Sequence, residues 1–260
     1  MSGLQELDPT RRFGDRVAAY ERFRPSYPDG VIAFLRAEPG LTPEHVVADV
    51  GSGTGLLSRA FLQSGNLVYG VEPNAEMRGA AERLLGSSDR FVSVEGRAEA
   101  TGLPPQSVDF VAAGQAFHWF DPVASKAEFR RILRSGGWTV LVWNSRRTAS
   151  TEFLSAYEAF LRSWCPDYGK VSSHYEDEES LALLFGADGW CRGTFEHTQS
   201  FDYHGLEGRL LSSSYAPGPE EEAHGPMLAA LRQLFDDHER GGRVVFEYDT
   251  GVYAGRLTPT

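Results

Sequence analysis

VVADVGSGTG, residues 46 to 55, is the stretch on which the fold turns. Its first five residues are apolar or β-branched around a single acid, the pattern of a short buried strand. Its last five carry glycines at 51, 53 and 55, which let a backbone turn sharply and approach a ligand closely. LLSRAFLQ (56–63) then shows helical spacing and stops at Ser64-Gly65. The first amides of that helix point outward, with no partner inside it. A dinucleotide fingerprint would place a third glycine three positions after the second. Leu56 stands there instead. Asp49 sits at the entrance to the loop, where a carboxylate disfavours a pyrophosphate and suits an ammonium group. Glu72 follows about 20 residues after the loop, where an acid can grip ribose hydroxyls. A turn that binds nothing would explain a lone GxG, but not the two acids around it.

Outward from this loop, the alternation continues. LVYGVE (67–72), FVSVE (91–95), VDFVAA (108–113) and WTVLVW (138–143) read as further strands. Asn74 is placed to cap AEMRGAAERLL, and Asp121-Pro122 to open a helix running to about Leu133 and closed by Gly136-Gly137. Short apolar strands separated by helices predict an α/β fold, a doubly wound, mostly parallel sheet with ligands at the carboxyl ends of its strands. Residues 13–23 predict a short helix ended by Pro25, and Tyr27-Pro28 opens another. After Asn144 the regularity stops. Residues 151–164, 177–185 and 226–240 look helical, while 194–204 and 243–253 alternate as strands do.

Composition narrows the partners. The 260 residues carry a net charge of −11 and no long basic run, which argues against nucleic acid. Arg130-Arg131 and Arg146-Arg147 read as solvated faces. Cys165 and Cys191 are far apart, with no CxxC and no histidine at ligand spacing, so neither a disulfide framework nor a metal site is expected. The N-terminus lacks a signal-peptide core, and no apolar run approaches the ~20 residues of a membrane helix. A soluble, cytoplasmic protein is expected.

Together these residues resemble the class I S-adenosylmethionine-dependent methyltransferase family. VVADVGSGTG matches its first motif, VYGVEPNAEM its second, VEGRAEATGLP the segment after the third strand, and VDFVAAGQAFHWF the fourth-strand motif. AAYERFRPSYP and QAFHWFD resemble the branch that includes trans-aconitate methyltransferases, although His118 stands where those enzymes carry Gln. The resemblance implies a Rossmann-like sheet of seven strands, the last antiparallel, plus a helical cover. It implies one domain over 1–260: a cofactor-binding core (46–143), an N-terminal helical lid (1–45), a helical cover insertion (144–193), and the last two strands with acceptor-pocket elements (194–260).

The resemblance also implies roles. Asp49, Gly51, Ser52, Gly53 and Gly55 would surround the methionine half of S-adenosylmethionine, and Glu72 would take both ribose hydroxyls. Pro73 and Met77 would pack on adenine, and Ala98 and Glu99 would meet its edge. Gln115 would stand near the sulfonium, and Tyr20 and Arg24 would hold the methionine carboxylate. Each has a plainer reading. Met77 fits a core stripe, Glu99 a surface acid, Arg24 a pair with Glu21, and Tyr20 a helix-face packing residue.

GQAFHWFD (114–121) poses the acceptor question. Asp121 is expected as an N-cap. Trp119 or Phe117 could face the sulfonium as a cation–π partner, or both could be core. His118 could be a general base, could orient the acceptor, or could point into the core. Tyr215, in SSSYAP, is a candidate for the acceptor pocket or a turn residue beside Pro217. Arg209 could serve an acidic acceptor, or be a surface arginine on a helix. The expected activity is methyl transfer to a small molecule, at oxygen ahead of nitrogen or carbon, leaving S-adenosylhomocysteine. The competing readings are a non-catalytic S-adenosylmethionine-binding sensor or scaffold, and an NAD-dependent oxidoreductase, against which Leu56 and Asp49 argue.

Overall fold

The computed structural model describes residues 22–169, 178–186, 189–213 and 215–257. Seven strands form one sheet in the order β3-β2-β1-β4-β5-β7-β6. They are β1 Val46–Val50, β2 Leu67–Val71, β3 Phe91–Val94, β4 Val108–Gly114, β5 Leu133–Arg146, β6 Trp190–Phe201 and β7 Val244–Gly255. The first five are mutually parallel where they pair, and β7 runs antiparallel to both β5 and β6. Strand order reverses between β1 and β4, so their carboxyl ends diverge and leave a crevice.

Alternating side chains divide the core. Val47 faces α1 (Gly30–Ala37) and α2 (Leu56–Gln63), packing with Val31, Leu35 and Phe61. Its neighbour Ala48 faces the opposite side, with Val111 and with Phe129 and Ile132 of α4 (Pro122–Ile132). Helix α3 (Ala75–Leu85) follows β2, and Asn74 Oδ1 caps it by accepting from the amides of Glu76 and Met77. Asp121 caps α4 in the same way, accepting from Val123 and Ala124. Both caps are the expected ones.

Beyond β5 a further core builds up. β7 and β6 continue past the end of β5, pairing Val244–Glu247 with Thr198–Phe201 alone. Helices α5 (Glu152–Trp164), α7 (Tyr203–Leu211) and α8 (His224–His238) pack on this overhang around Phe246, Leu154, Leu206 and Leu231. Helix α6 (Glu178–Phe185) lies instead on the other part of the sheet, with Leu184 and Phe185 against Leu141 and Tyr253.

Several elements differ from expectation. β5 begins at Leu133, because Val108 pairs Leu133 and Phe110 pairs Trp138, leaving 134–137 as a bulge. The alternating stretch 194–204 belongs to a strand only as far as Phe201. Asp202 Oδ1 accepts from the Gly205 amide and starts α7, a helix the sequence reading missed. Helix α1 starts after Asp29 rather than at Pro28, and α8 runs two residues earlier than expected. Most of the helix expected at 13–23 lies outside the described residues. Arg146, expected on a solvated face, has a side chain only 10% exposed, and Arg209, read as a cation for an acidic acceptor or a surface arginine, is buried.

Candidate functional site

The strand–loop–helix at 46–63 forms one wall of a cavity of about 530 Å³ at the carboxyl ends of β1, β2 and β4. The amides of Gly51 and Ser52 both donate to the carbonyl of Val71, at 2.8 and 3.1 Å, which ties the loop to β2. Gly51 holds φ +68° beneath Phe120. A Cβ there would lie 2.7 Å from the Ala116 Cβ and 3.1 Å from the Phe120 ring. Left-handed backbone costs an L-residue about 1–2 kcal/mol before any clash. Gly51→Ala is therefore expected to lower the melting temperature and abolish ligand binding at this wall; a calorimetric titration with unchanged affinity would show that the loop does not touch ligand. Gly55 is not in the wall. It sits at φ +86° as the residue before α2, beneath Leu85 of α3, so its place is structural.

Two acids stand on adjacent strands. Glu72 Oε2 accepts from the Gly53 amide and Oε1 from the Asn74 amide, each at 2.9 Å. Each carboxylate oxygen has a second lone pair, so capacity remains for two more donors facing the cavity. Burial raises the Glu72 pKa, against the pull of those amides and of Arg78. Asp49 Oδ2 accepts from Ser58 Oγ at 2.6 Å, while Oδ1 is buried without a partner. Burial pushes its carboxyl up to about 7, with Ser58 opposing and the Glu72 charge adding.

Two more buried oxygens at this cavity lack partners: Thr54 Oγ1 and Gln115 Oε1. Gln115 is also one of two non-glycine residues with positive φ (55°) among the described residues. Its Nε2 donates to the carbonyl of Asn144 at 2.9 Å, which turns the amide oxygen toward the cavity. Strain of this kind persists where the surroundings impose it, often at a ligand site. The wall thus holds an excess of acceptors, and what fills it must bring donors.

The opposite wall comes from the turn after β3. Arg97 and Ala100 exchange two backbone bonds of 3.1 Å and present Ala98 to the cavity. Glu99 is not a free surface acid: its Oε1 accepts from the Asp121 amide at 2.9 Å, pinning the turn to the start of α4. Below, Thr101 donates through both its amide and its hydroxyl to Glu128 Oε1. The Arg131 guanidinium beside Glu128 holds that carboxyl down at about 2. Pro73 and Met77 line the same side; Met77 is only 4% exposed, so it is core and wall at once.

Of the aromatics after β4, Trp119 and Phe120 line the cavity, whereas Phe117 is buried with Leu141 and Trp143. His118 is not among the lining residues. The short 3₁₀ turn Phe117–Trp119 puts its ring beside that of Trp119, with centroids 5.0 Å apart. Tyr27, which the sequence reading took only for a helix start, lines the cavity with its hydroxyl against the Gly114 backbone. Its signal was an aromatic just after Arg24 in an otherwise polar approach to α1.

Two further expected residues lie elsewhere. Arg24 reaches the Ser212 carbonyl at 3.0 Å and does not line this cavity. Tyr215 packs edge-on to Tyr168, in the core beyond β5. Tyr20 lies outside the described residues. No described residue of 151–190 lines the cavity. Among the described residues there is no cluster of potential metal ligands, and no helix is long and apolar enough to cross a membrane.

Comparison with known proteins agrees with the fold. A family model described as a methyltransferase domain matches residues 48–141. An uncharacterized methyltransferase of Schizosaccharomyces pombe is 32% identical over 253 residues, covering 96% of this chain and 98% of its own. One from Mycobacterium tuberculosis is 40% identical over 139 residues, 54% of each chain, so the match to it spans about half its length. Among solved structures, a putative type II methyltransferase from Anaeromyxobacter dehalogenans is 26% identical with a TM-score of 0.67, covering 92% of this chain and 100% of its own.

Proposed function

Because the chain belongs to the class I S-adenosylmethionine-dependent methyltransferase family, we propose that it methylates a small-molecule acceptor, at an oxygen already ionised. The observation that carries the donor half is the set of unpartnered acceptors, Asp49 Oδ1, Thr54 Oγ1 and Gln115 Oε1, around a cavity closed by Glu72. An ammonium group and a pair of ribose hydroxyls are donors of the kind that set lacks. When bound, S-adenosylmethionine supplies an electrophilic methyl group on a sulfonium and leaves as S-adenosylhomocysteine.

The chain's part is to bind, orient and keep dry. Asp49 Oδ1 accepts from the ammonium, and the loop Gly51–Gly53 comes close because it carries little side-chain bulk. Glu72 accepts both ribose hydroxyls on its unused lone pairs. Pro73 and Met77 pack one face of adenine, and Ala98 meets its edge. Glu99 acts on that edge by fixing the turn. Gln115 and Trp119 border the methyl, where the indole attracts positive charge and excludes water. Among the described residues, those lining the cavity include no histidine, lysine or cysteine. An acceptor that is already an anion needs no proton removed; alignment in a dry site suffices. That is the support for oxygen over nitrogen.

The direct test is calorimetric titration with S-adenosylhomocysteine and with NAD. Binding of the first and not the second is expected; the reverse would overturn the reading. Trp119→Leu is expected to lower kcat/KM for S-adenosylmethionine about 30-fold, the worth of about 2 kcal/mol for a desolvated cation–π contact, with S-adenosylhomocysteine affinity changed less than about threefold. His118→Ala is expected to cost less than Trp119→Leu. A larger loss, with a new pH dependence near neutrality, would return His118 to the role of base.

A further inference from the structure

On the face of the sheet that packs against α1, β5 and β7 are apolar as far as the pair Val142 and Val252. One pleat further along β5 that face turns polar. Asn144 stands in register opposite Thr250 of β7, and both are buried. His197 of β6 lies diagonally beyond Thr250, in register with Tyr248.

The Thr250 hydroxyl contacts Asn144 Oδ1 at 2.6 Å and His197 Nδ1 at 3.2 Å. A hydroxyl has one proton to give, and an amide oxygen can only accept. Thr250 therefore donates to Asn144 and accepts from His197, whose Nδ1 carries the ring proton. His197 Nε2 keeps only a lone pair, which fits its burial without a partner. The row is polarised in one direction, and it fixes the Asn144 amide with its nitrogen toward the N-terminal segment. There Nδ2 donates to the carbonyl of Ser26 at 3.3 Å.

Asn144 does not line the donor cavity, yet it holds residues on both sides of Gly114 that do. Its own carbonyl accepts from Gln115 Nε2 at 2.9 Å. Its side chain binds Ser26, and the next residue, Tyr27, lines the cavity with its hydroxyl against Gly114. Residues 25–28 form no helix or strand, so side-chain ties of this kind must hold the Tyr27 ring at the wall. Two apolar residues could replace Asn144 and Thr250 at little cost to packing. What such a pair could not supply is an amide donor aimed at Ser26.

We propose that Asn144 is a positioning residue of the donor site: with its amide oriented by Thr250, it clamps the Ser26–Tyr27 segment onto the end of β4, so that Tyr27 and Gln115 meet S-adenosylmethionine as one preset wall. The side chains of Asn144 and Thr250 act through Tyr27, not on the donor. This rests on the methyltransferase reading and deepens it.

The test is titration calorimetry of the full chain with S-adenosylhomocysteine, beside thermal melting of the free protein. Tyr27→Leu and Asn144→Leu are each expected to weaken binding about tenfold, and Thr250→Val, which removes only the hydroxyl, about three- to tenfold. Thr250→Ser keeps the hydroxyl and is expected to bind within about twofold of wild type. The deciding measurement is a double-mutant cycle. In the Tyr27→Leu background, Asn144→Leu and Thr250→Val are each expected to cost less than about twofold more, because the wall they serve has gone. If Tyr27→Leu or Asn144→Leu binds as wild type does, the clamp is overturned. It is also overturned if the losses from Tyr27 and Asn144 simply add, since Asn144 then acts elsewhere or only on stability. Thr250→Ser binding no better than Thr250→Val would show that the hydroxyl does not orient the amide, and the proposal fails again. If Asn144→Leu does not fold, the Thr250 variants in the two backgrounds decide. Failure of wild type to bind S-adenosylhomocysteine itself would instead overturn the methyltransferase reading.

Discussion

Glu72→Ala is expected to weaken S-adenosylhomocysteine binding by about 100-fold or more, because a hydrogen bond to a charged acceptor is worth roughly 1.5–3 kcal/mol and two such bonds, together at least about 3 kcal/mol, would be lost. Glu72 is 8% exposed, so little water is available to replace them. Part of the loss would come through the loop, since the amides of Gly53 and Asn74 also rely on this carboxylate. Glu72→Gln separates the two contributions. It keeps one acceptor oxygen and the side-chain volume, so it should retain most of the free protein's stability and lose less affinity than alanine does. Titration calorimetry measures the affinity and thermal melting the stability. Alanine binding with wild-type affinity would remove Glu72 from the donor site.

The second large effect is a pH dependence set by Asp49. Its folded pKa of about 7 lies above the ordinary value of 3.8, so the fold disfavours its ionised form. The unfolded chain gives up that proton near 4 and the free protein only near 7. Stability of the free protein therefore falls as pH rises between these values, by roughly 4 kcal/mol in all. An ammonium group beside Oδ1 reverses the preference. S-adenosylhomocysteine affinity should then rise with pH below 7, approaching tenfold per unit, and level off above it. Binding below pH 7 should release close to one proton, readable as a dependence of the binding heat on the buffer's ionisation enthalpy. Asp49→Asn keeps an acceptor for Ser58 and should flatten the profile. A wild-type affinity that is flat between pH 5.5 and 7.5 would exclude Asp49 as the ammonium partner.

The cofactor half of the molecule was legible because local chemistry and global fold agree there. Val46–Val50 is β-branched and ends at a glycine, Asn74 and Asp121 are capping residues placed before helical stripes, and the two acids fall at strand ends. The part beyond β5 was less legible, for nameable reasons. Helix α7 contains Gly205 and Gly208, which lower helix propensity. The fold needs both: Phe201 presses on the first and the Phe23 ring on the second, where no Cβ fits. Arg209 was read as solvated because nothing in YHGLEGRLL shows which helix face meets β7. For His118 the sequence left open a base, an orienting group and a core residue; the 3₁₀ turn Phe117–Trp119 puts Trp119 on the cavity wall and leaves His118 off it. The bulge at 134–137 resembles a helix stop because Gly136, at φ +80°, is the same residue in either role.

The overhang of β6 and β7 beyond β5 gives the molecule a division of labour along the chain. Every described residue lining the donor cavity falls between 27 and 121, and the family model ends at residue 141. The aromatic and arginine group packed on the overhang is drawn from 146 onward, joined by Phe23. On the proposed function, donor usage and substrate choice would be encoded in successive, nearly separate paragraphs of sequence. The later one can be rewritten by mutation or recombination, acquiring new clientele, while the earlier one goes on spending the same currency of methyl groups.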